Sequence, residues 1–422
     1  MVVRLHSIYL LLVKLFGKIQ ILPYKVAFSC ALIFLLIVVF SSTGSAAEGQ
    51  WSGYVATEAR LFANSPRFSS QDNHAVSAVL QPEYYYEWGG KNSFTFTPFF
   101  RLDSADSERT HFDLRELFGL WVFDDWELGA GVRKVYWGVT ESQHLVDVIN
   151  QTDLVEALDG EEKLGQPMIN ISVPRDFGTF DFFILPYFRK RTFPGKGGRL
   201  RQDIIVDSDL AEFESSAEQR HVDFAFRYSL TLNAWDVGLS HFTGTGREPL
   251  LRKGTDGSGD EVFIPVYKQI NQTGLDLQWT GESILLKLEA IYRTGQGGPF
   301  GAWTGGFEYT FYAVSGTGVD IGVLAEWSRD TRDDDATTQL EDDLMAGFRL
   351  SVNDVQSTEA LAGIVQDIDS DARMVFMEMS RRLGTNWKAT LDAFFFLNQG
   401  SNDRVNGARD DDYVGLELAY YF

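Results

Sequence analysis

The sequence predicts an all-β fold, a transmembrane antiparallel up-and-down β-barrel, and three observations support this prediction. Segments of about ten residues alternate apolar and polar side chains from residue 51 to the end of the chain. The connections between these segments are alternately short and long. Tryptophans stand beside several short connections, on the apolar side of their segments. These patterns are typical of strands that face lipid on one side and water on the other.

The last segment of the chain shows the alternation most clearly. Residues 412–422 place Leu416 and Leu418 on one face and Glu417 on the other, and they end on Phe422. Successive side chains of a strand point to opposite faces, so this pattern gives one apolar and one mixed face.

The alternation predicts about 18 strands, an even number as in single-chain bacterial barrels. About 16 strands is the alternative, if a weak pair such as 358–367 and 373–383 is not formed. The strands are expected near residues 51–62, 77–89, 93–103, 111–123, 126–138, 166–175, 179–190, 220–232, 235–244, 262–279, 283–294, 300–312, 319–328, 342–352, 358–367, 373–383, 386–398 and 412–422.

The connections alternate in length along the chain. Tight turns, such as Asp124-Asp125 and Gly384-Thr385, alternate with links that are mostly longer and polar, including 139–165 and 191–219. Short turns on one rim and long loops on the other are the barrel arrangement, which a water-soluble β-sandwich has no reason to keep.

The tryptophans next to the tight turns all fall on the apolar parity of their strands. Indole rings prefer the headgroup level of a bilayer, so a row at one rim predicts an aromatic girdle. The alternative is a set of core tryptophans in a water-soluble protein. The predicted girdle comprises Trp88, Trp126, Trp235, Trp279, Trp387 and the terminal Phe422.

Residues 1–47 are predicted to be a secretory signal peptide, and residues 48–422 to form a single barrel. The amino-terminal stretch is basic, carries an apolar run from Val26 to Phe40, and ends in small residues before Glu48. An uncleaved membrane helix is the alternative, although the run is shorter than the roughly 20 residues of a span. The single cysteine, Cys30, lies in this stretch, so the barrel needs no disulfide.

The composition excludes several classes of function. With 37 basic against 59 acidic residues the net charge is −22, which argues against a nucleic-acid partner. The acidic clusters at 330–335 and 410–412 suit Ca²⁺ or Mg²⁺ by residue type, but lack a calcium-loop spacing and favour solvated loops. The six histidines show no metal-ligand spacing. We therefore expect no metal, no cofactor and no enzymatic activity.

Charged residues on the strands are predicted to face the lumen. A basic side chain at the lipid-facing midplane costs about 2–4 kcal/mol, so the charged parity of each strand must point inward. Glu116 and Lys134 fall on the outward parity and are exceptions. The predicted pore-lining residues are Arg101, Asp113, Arg115, Glu127, Arg133, Arg189, Asp223, Arg227, Lys287, Glu289, Arg293 and Arg349.

The connection 139–165 mixes apolar and acidic residues and is predicted to fold inward as a constriction loop. The alternative is an outer lid. Thr152 and Gly160 suggest the start and end of a short helical turn over residues 153–158. The predicted constriction residues are Glu141, His144, Asp147, Asp153, Glu156 and Asp159.

Three arginines, Arg101, Arg115 and Arg133, stand on the inward parity of consecutive strands at nearly one height. One interpretation is a basic row that faces an acidic loop and creates a transverse field across a pore. The other is that these arginines only neutralise Asp113, Glu127 and the loop carboxylates.

With its closing strand, girdle and loop rhythm, the chain resembles the porin-like outer-membrane channels of Gram-negative bacteria. The resemblance implies location in the cell outer membrane, contact with lipid and lipopolysaccharide, and recognition of the last strand by the barrel assembly machinery. It implies passive passage of small polar or charged solutes, and leaves a homo-oligomer open because porins are often trimers. The alternatives are a substrate-specific channel or exporter for an organic acid, aromatic or polysaccharide, and a non-conducting surface or adhesin barrel.

Overall fold

The computed structural model describes residues 49–157, 160–400 and 404–422. The predicted signal peptide lies outside these residues. Eighteen strands of the described part form one sheet. They are β1 (Gln50–Phe62), β2 (His74–Trp88), β3 (Asn92–Asp103), β4 (His111–Val122), β5 (Glu127–Arg133), β6 (Gln166–Arg175), β7 (Gly178–Leu185), β10 (Asp223–Leu232), β11 (Trp235–Thr245), β14 (Gln269–Thr280), β15 (Ile284–Gly295), β16 (Gly297–Phe311), β17 (Val319–Asp330), β18 (Asp342–Val352), β19 (Thr358–Asp367), β20 (Arg373–Leu383), β21 (Trp387–Leu397) and β22 (Tyr413–Tyr421).

Four further strands lie outside this sheet, in the long connections. They are β8 (Ile205–Val206), β9 (Glu212–Phe213), β12 (Leu250–Thr255) and β13 (Glu261–Tyr267). The hairpin β12–β13 is antiparallel, and β13 also pairs in parallel with β8 and β9. This small sheet therefore ties two long loops together at one end of the molecule. Over the described ranges, no helix is long and apolar enough to cross a membrane.

The large sheet closes on itself. Each barrel strand pairs antiparallel with the next one along the chain, and β22 pairs with β1 from Tyr54↔Tyr421 to Phe62↔Tyr413. Closure leaves no unpaired strand edge, which satisfies the backbone groups in a bilayer. The predicted all-β barrel of 18 strands is confirmed, and the alternative of 16 is wrong because β19 and β20 both pair in the wall.

The predicted alternation of faces appears in the exposures. On β18, Phe348 is 62% exposed on the outer surface, whereas Met345, three positions earlier and of the opposite parity, is buried inside. On β10, Phe224 is exposed outside and Asp223 is buried inside. A belt of exposed apolar side chains on a closed barrel is the surface that lipid requires.

One exception to the alternation is explained by a β-bulge. The register between β3 and β4 shifts because Thr97 pairs with Glu116 whereas Pro98 pairs with Leu114. A bulge adds one residue and reverses the parity beyond it. Phe118 consequently points inward into a buried cluster. The outward placement expected for Glu116 assumed an unbroken strand, and that assumption was wrong.

The predicted bounds of three strands were also wrong. β5 ends at Arg133 and β7 at Leu185, because the chain then leaves the wall and turns inward. The predicted strand 262–279 is two strands, β13 and β14. At about 3.3 Å per residue, a single strand of that length would rise far beyond the bilayer, and β13 joins the outer sheet instead.

Lipid exposure of the outer face can be tested at the centre of β18. We expect Phe348→Arg to lower the free energy of unfolding by about 2–4 kcal/mol, because a guanidinium there must enter hydrocarbon. The measurement is urea unfolding in phosphatidylcholine bilayers. Phe348→Leu, which keeps an apolar side chain, is the control. Equal stability of the two variants would contradict a lipid-facing position.

Candidate functional site

The connection between β5 and β6 lies inside the barrel. We call residues 134–165 the inner segment. Its ends are joined by Asn150, whose side chain accepts from the Val135 N–H at 2.9 Å and donates to the carbonyls of Arg133 and Leu164 at 2.9 and 2.8 Å. The segment begins five residues earlier than the predicted loop 139–165, at the point where β5 ends.

Apolar packing fills part of the lumen. Side chains of the inner segment pack against inward-facing side chains of the wall in one buried cluster. Members from the segment are Trp137, Leu145, Val146, Val148 and Ile149, and members from the wall include Phe118, Phe183, Phe242, Ile291 and Phe300. On this side the barrel interior is therefore a hydrophobic core and not an open channel.

The middle of the segment is extended. Thr152 forms an antiparallel bridge with Lys163, and Asp153 a parallel bridge with Thr192. Of the helical turn predicted over residues 153–158, the described residues 153–157 show a single turn, closed by the Glu156 N–H that donates to the Asp153 carbonyl at 3.1 Å. Asp159, predicted as a constriction residue, lies outside the described residues together with residue 158.

Asp153 holds the segment to β4. Its buried carboxylate accepts from Arg115 Nη2 at 2.8 Å and from Thr192 Oγ1 at 2.7 Å, and lies 3.5 Å from His111 Nε2. Burial alone would raise the pKa of Asp153, but the His111 hydrogen bond and the Arg115 charge outweigh it and lower the pKa to about 2. The carboxylate is thus ionised at neutral pH.

Glu156 holds the segment to β3. Arg101 Nη2 lies 2.7 Å from the Glu156 carboxylate, and Arg101 Nη1 lies 2.7 Å from Glu58 of β1. Glu58 also binds Arg109 at 2.8 Å, and Arg109 Nε donates to the carbonyl of Val155 at 2.9 Å. All of these charged side chains are buried. Glu58 and Arg109 were not singled out from the sequence, although Glu58 stands on the inward parity of β1.

The three arginines of the predicted row do not share one role. Arg101 and Arg115 form ion pairs with segment carboxylates. Arg133, at the end of β5, places its guanidinium over the Phe118 ring at 5.0 Å. Glu127 lies half-buried at the other end of β5, beside a short turn. In this geometry the arginines of β3 and β4 neutralise the segment and do not face it across a gap.

Two glutamates hold the other side of the segment. Glu289 of β15 accepts from the backbone N–H groups of Val139 and Thr140 at 2.7 and 3.0 Å, and is fully buried. Glu326 of β17 accepts from the N–H groups of Glu141 and Ser142, each at 2.8 Å. These carboxylates satisfy buried backbone donors that no strand partner reaches.

Basic side chains surround the tip of the segment. Glu141 forms ion pairs with Arg349 at 2.6 Å and with Lys287 at 3.6 Å. His144 lies 2.9 Å from Glu161 and 3.5 Å from Glu289. The segment consequently contacts strands on opposite sides of the barrel, from β1 and β3 to β15, β17 and β18.

The remaining predicted residues also form pairs. Asp147 is paired with Lys163 within the segment at 3.5 Å. Arg189 was predicted on a strand but follows the end of β7. Four further pairs join wall residues to each other or to the long connections. They are Arg189–Asp113, Arg247–Asp223, Arg227–Asp276 and Arg293–Glu248, at 2.7, 2.9, 2.7 and 2.7 Å. The predicted pore-lining residues Asp113, Asp223, Glu289 and Arg293 are buried, so they do not line open water.

One side of the lumen keeps a cavity. A space of about 190 Å³ lies between the tip of the inner segment, at Glu141, Ser142 and Glu161, and the inner faces of β18 to β21. Its wall carries apolar and aromatic side chains, with carboxylates near them. The wall residues include Met345, Leu361, Phe376, Phe394 and Phe396 on the apolar side and Asp343, Asp367 and Glu378 among the carboxylates.

The predicted girdle residues lie beside the short turns. Trp235 and Trp279 are direct partners on β11 and β14. Trp126 stacks on Phe123 across its turn, with ring centroids 4.3 Å apart. The ring centroids of Trp387 and Tyr420 lie 5.0 Å apart. Trp88 contacts Trp121 at 6.3 Å, and the Phe422 N–H donates to the Gly53 carbonyl at 3.0 Å.

Basic partners neutralise parts of the acidic loop clusters. Asp330 accepts from Arg332 at 2.6 Å and from Thr338 at 2.9 Å. Asp411 is buried against Arg199 at 2.6 Å. Within the described residues, no group of three or more His, Cys, Asp or Glu has the arrangement of a metal site.

The chain matches no protein-family model and no curated protein. Among solved structures it is similar to Wzi of Escherichia coli, at 9% identity, covering 87% of this chain and 84% of that chain with a TM-score of 0.50. Wzi is described as an outer-membrane protein involved in group 1 capsule assembly and as a carbohydrate-binding β-barrel.

A Rhodopseudomonas blastica porin variant aligns with 11% identity, over 89% of this chain and 100% of that chain, with a TM-score of 0.42. At these identities the similarity concerns the fold. The chain is a closed antiparallel up-and-down β-barrel.

The stability that the ion pairs of His144 contribute should depend on pH. Burial alone would lower the pKa of His144, but hydrogen bonds to Glu161 and Glu289 outweigh it and raise the pKa to about 10. The protonated ring therefore stabilises the fold fully below its unfolded pKa of about 6.5, and this contribution is lost as the pH rises towards 10. We expect urea unfolding of the wild type to lose more stability over this range than His144→Phe.

His241→Gln, which changes a histidine outside the segment, is the control and should follow the wild type. If His144→Phe and the wild type lost the same stability between these pH values, the ion pairs of His144 would not hold the segment.

Proposed function

We propose that this chain is an outer-membrane channel, through which small polar or charged solutes pass passively along a path that the inner segment narrows. The observation that carries the proposal is the position of the segment. On one side, Asp153 and Glu156 of the segment form ion pairs with the wall. On the other side, Glu289 and Glu326 of the wall accept hydrogen bonds from the segment backbone. A cavity remains next to the tip of the segment.

The charges around that cavity support a path for polar solutes. Glu141 lies between Lys287 and Arg349 at the narrowed side, so both signs of charge occur close together. Charged groups at a constriction set which solutes enter and how they are oriented. On this basis, Glu141, Lys287 and Arg349 are the residues proposed to act at the constriction.

A substrate-specific channel is the second candidate. The aromatic wall formed by Phe376, Phe394 and Phe396 favours it, because a general aqueous pore does not require apolar contacts at its narrowest side. The two candidates differ in one observable, since a specific channel shows saturable block of its current by its substrate.

The proposed location is the outer membrane of a Gram-negative bacterium, with lipid and lipopolysaccharide around the barrel. The closing strand β22 and Phe422 would be read by the barrel assembly machinery during insertion. No catalytic role is proposed for any side chain, and solutes are the proposed ligands.

Release of the segment should open the path. In the double variant Glu289→Ala, Glu326→Ala, the backbone of the segment loses its carboxylate acceptors on β15 and β17, at a cost of about 3 kcal/mol in stability for groups that become buried and unpaired. Planar-bilayer recordings in KCl should show a larger and noisier single-channel current than the wild type.

The matched control is Glu282→Gln, a glutamate in a short turn outside the lumen. It should leave the current unchanged. A wild-type barrel that inserts but carries no current would contradict the channel and favour a surface barrel. An unchanged current in the double variant would show that the segment does not narrow the path.

A further inference from the structure

A second cavity opens at the end of the barrel that carries the long loops. Its volume is about 370 Å³, and it lies where the inner segment, at Leu154, meets the loop after β7 and the chain that leads into β12. We call it the mouth cavity. Its walls are largely apolar, with Phe193, Ile204, Val206 and Leu250 among them.

The polar residues of the mouth cavity have one sign of charge. Its lining includes Arg191, Arg201, Gln202 and Thr337, and no carboxylate among the described residues. This is unusual in a chain with a net charge of −22. The contrast identifies the cavity as a basic, apolar-walled site in an otherwise acidic protein.

Arg201 is buried, and no carboxylate of the described residues lies within ion-pair distance of its guanidinium. It is 7% exposed, and its Nη1 donates to the carbonyls of Gln202 and Asp203 at 2.8 and 3.1 Å. Its Nε is buried and has no hydrogen-bond partner in the part of the chain that the structure describes. Its guanidinium lies 4.0 Å from the centre of the Phe68 ring. Burial, and then the nearby Arg67 charge, lower the pKa of Arg201.

Arg191 is half-buried and also lacks an acidic partner among the described residues. Its Nε donates to the amide oxygen of Gln151 at 3.1 Å, and over the described ranges no carboxylate lies within ion-pair distance. Glu248, the acidic group with the largest effect on it, is already paired with Arg293. Burial lowers the pKa of Arg191 as well.

Other arginines around these loops have acidic partners. Arg67 is paired with Asp203, Arg199 with Asp411, and Arg247 with Asp223. A buried guanidinium without an anion is costly, and an anion that enters the cavity would remove this cost. The apolar walls would at the same time cover an apolar part of the same molecule.

We propose that the mouth cavity binds an amphipathic anion, a carboxylate or sulfonate attached to an apolar or aromatic body, whose charged group lies between Arg191 and Arg201. As a capture site for a transported solute, it rests on the proposed channel function and names the substrate class. The occupant would touch Leu154, which lies between Asp153 and Glu156, and so would contact the inner segment directly.

The test is isothermal titration calorimetry on the whole chain refolded in dodecyl maltoside micelles. The probe is 2-naphthoate, and its neutral analogue is 2-naphthalenemethanol. We expect the naphthoate to bind roughly tenfold or more tightly than the alcohol, because only the anion makes charged hydrogen bonds to the arginines.

Variants assign the binding to the two arginines. Arg191→Gln and Arg201→Gln should each weaken naphthoate binding roughly tenfold, with little effect on the alcohol. Arg201→Lys keeps the charge and should retain more affinity than Arg201→Gln. Arg252→Gln is the control, since Arg252 is exposed on β12 and paired with Glu212 outside the cavity.

Equal binding of naphthoate and alcohol, or unchanged affinity in both glutamine variants, would overturn the proposal. If Arg201→Gln did not refold, judged by circular dichroism, Arg191→Gln and the comparison of the two probes would decide. Bilayer current is recorded separately. Naphthoate binding without a bilayer current would support the binding site and contradict the channel function. A current with neither naphthoate binding nor block would support the channel function and contradict the binding site.

Discussion

The inner segment stays inside the barrel because two of its carboxylates, Asp153 and Glu156, are ion-paired with buried arginines of the wall. Breaking a buried pair leaves an unpaired charge in a medium of low polarity, which costs about 3–5 kcal/mol. Arg115 and Arg101 in turn require these carboxylates, since both are almost completely buried. The position of the segment, and with it the shape of the lumen, depends on these pairs.

A second constraint is the backbone of the segment. Its residues leave the sheet and lose their strand partners, so their N–H groups need other acceptors. Glu289 and Glu326 provide them from the opposite wall. The result is a lumen with two parts: a hydrophobic core against the wall from β4 to β16, and a cavity beside β18 to β21. The packed core distinguishes this interior from a fully water-filled barrel.

Sequence reasoning was most accurate where the strand is regular. The alternation predicted the outward Phe224 and the inward Asp223, and it located all eighteen wall strands. It was wrong at Glu116, because a bulge changes parity without any marker in a single sequence. The sequence also placed Arg189 on a strand, whereas β7 ends at Leu185. The apolar pattern continues past this end, so it does not mark where the chain leaves the wall.

The sequence by itself determined the antiparallel barrel and the outward direction of most of its apolar faces, and it limited the number of strands to 18 or 16. These follow from a period of two and from the cost of charge in lipid, both of which act on neighbours along the chain. Only the tertiary structure decided which charges meet. Glu141 and Arg349 are far apart in the sequence and lie 2.6 Å apart in the lumen. In the part of the chain that the structure describes, Arg201 lies in a cavity formed by distant loops and has no carboxylate within ion-pair distance, a relation that no local pattern records.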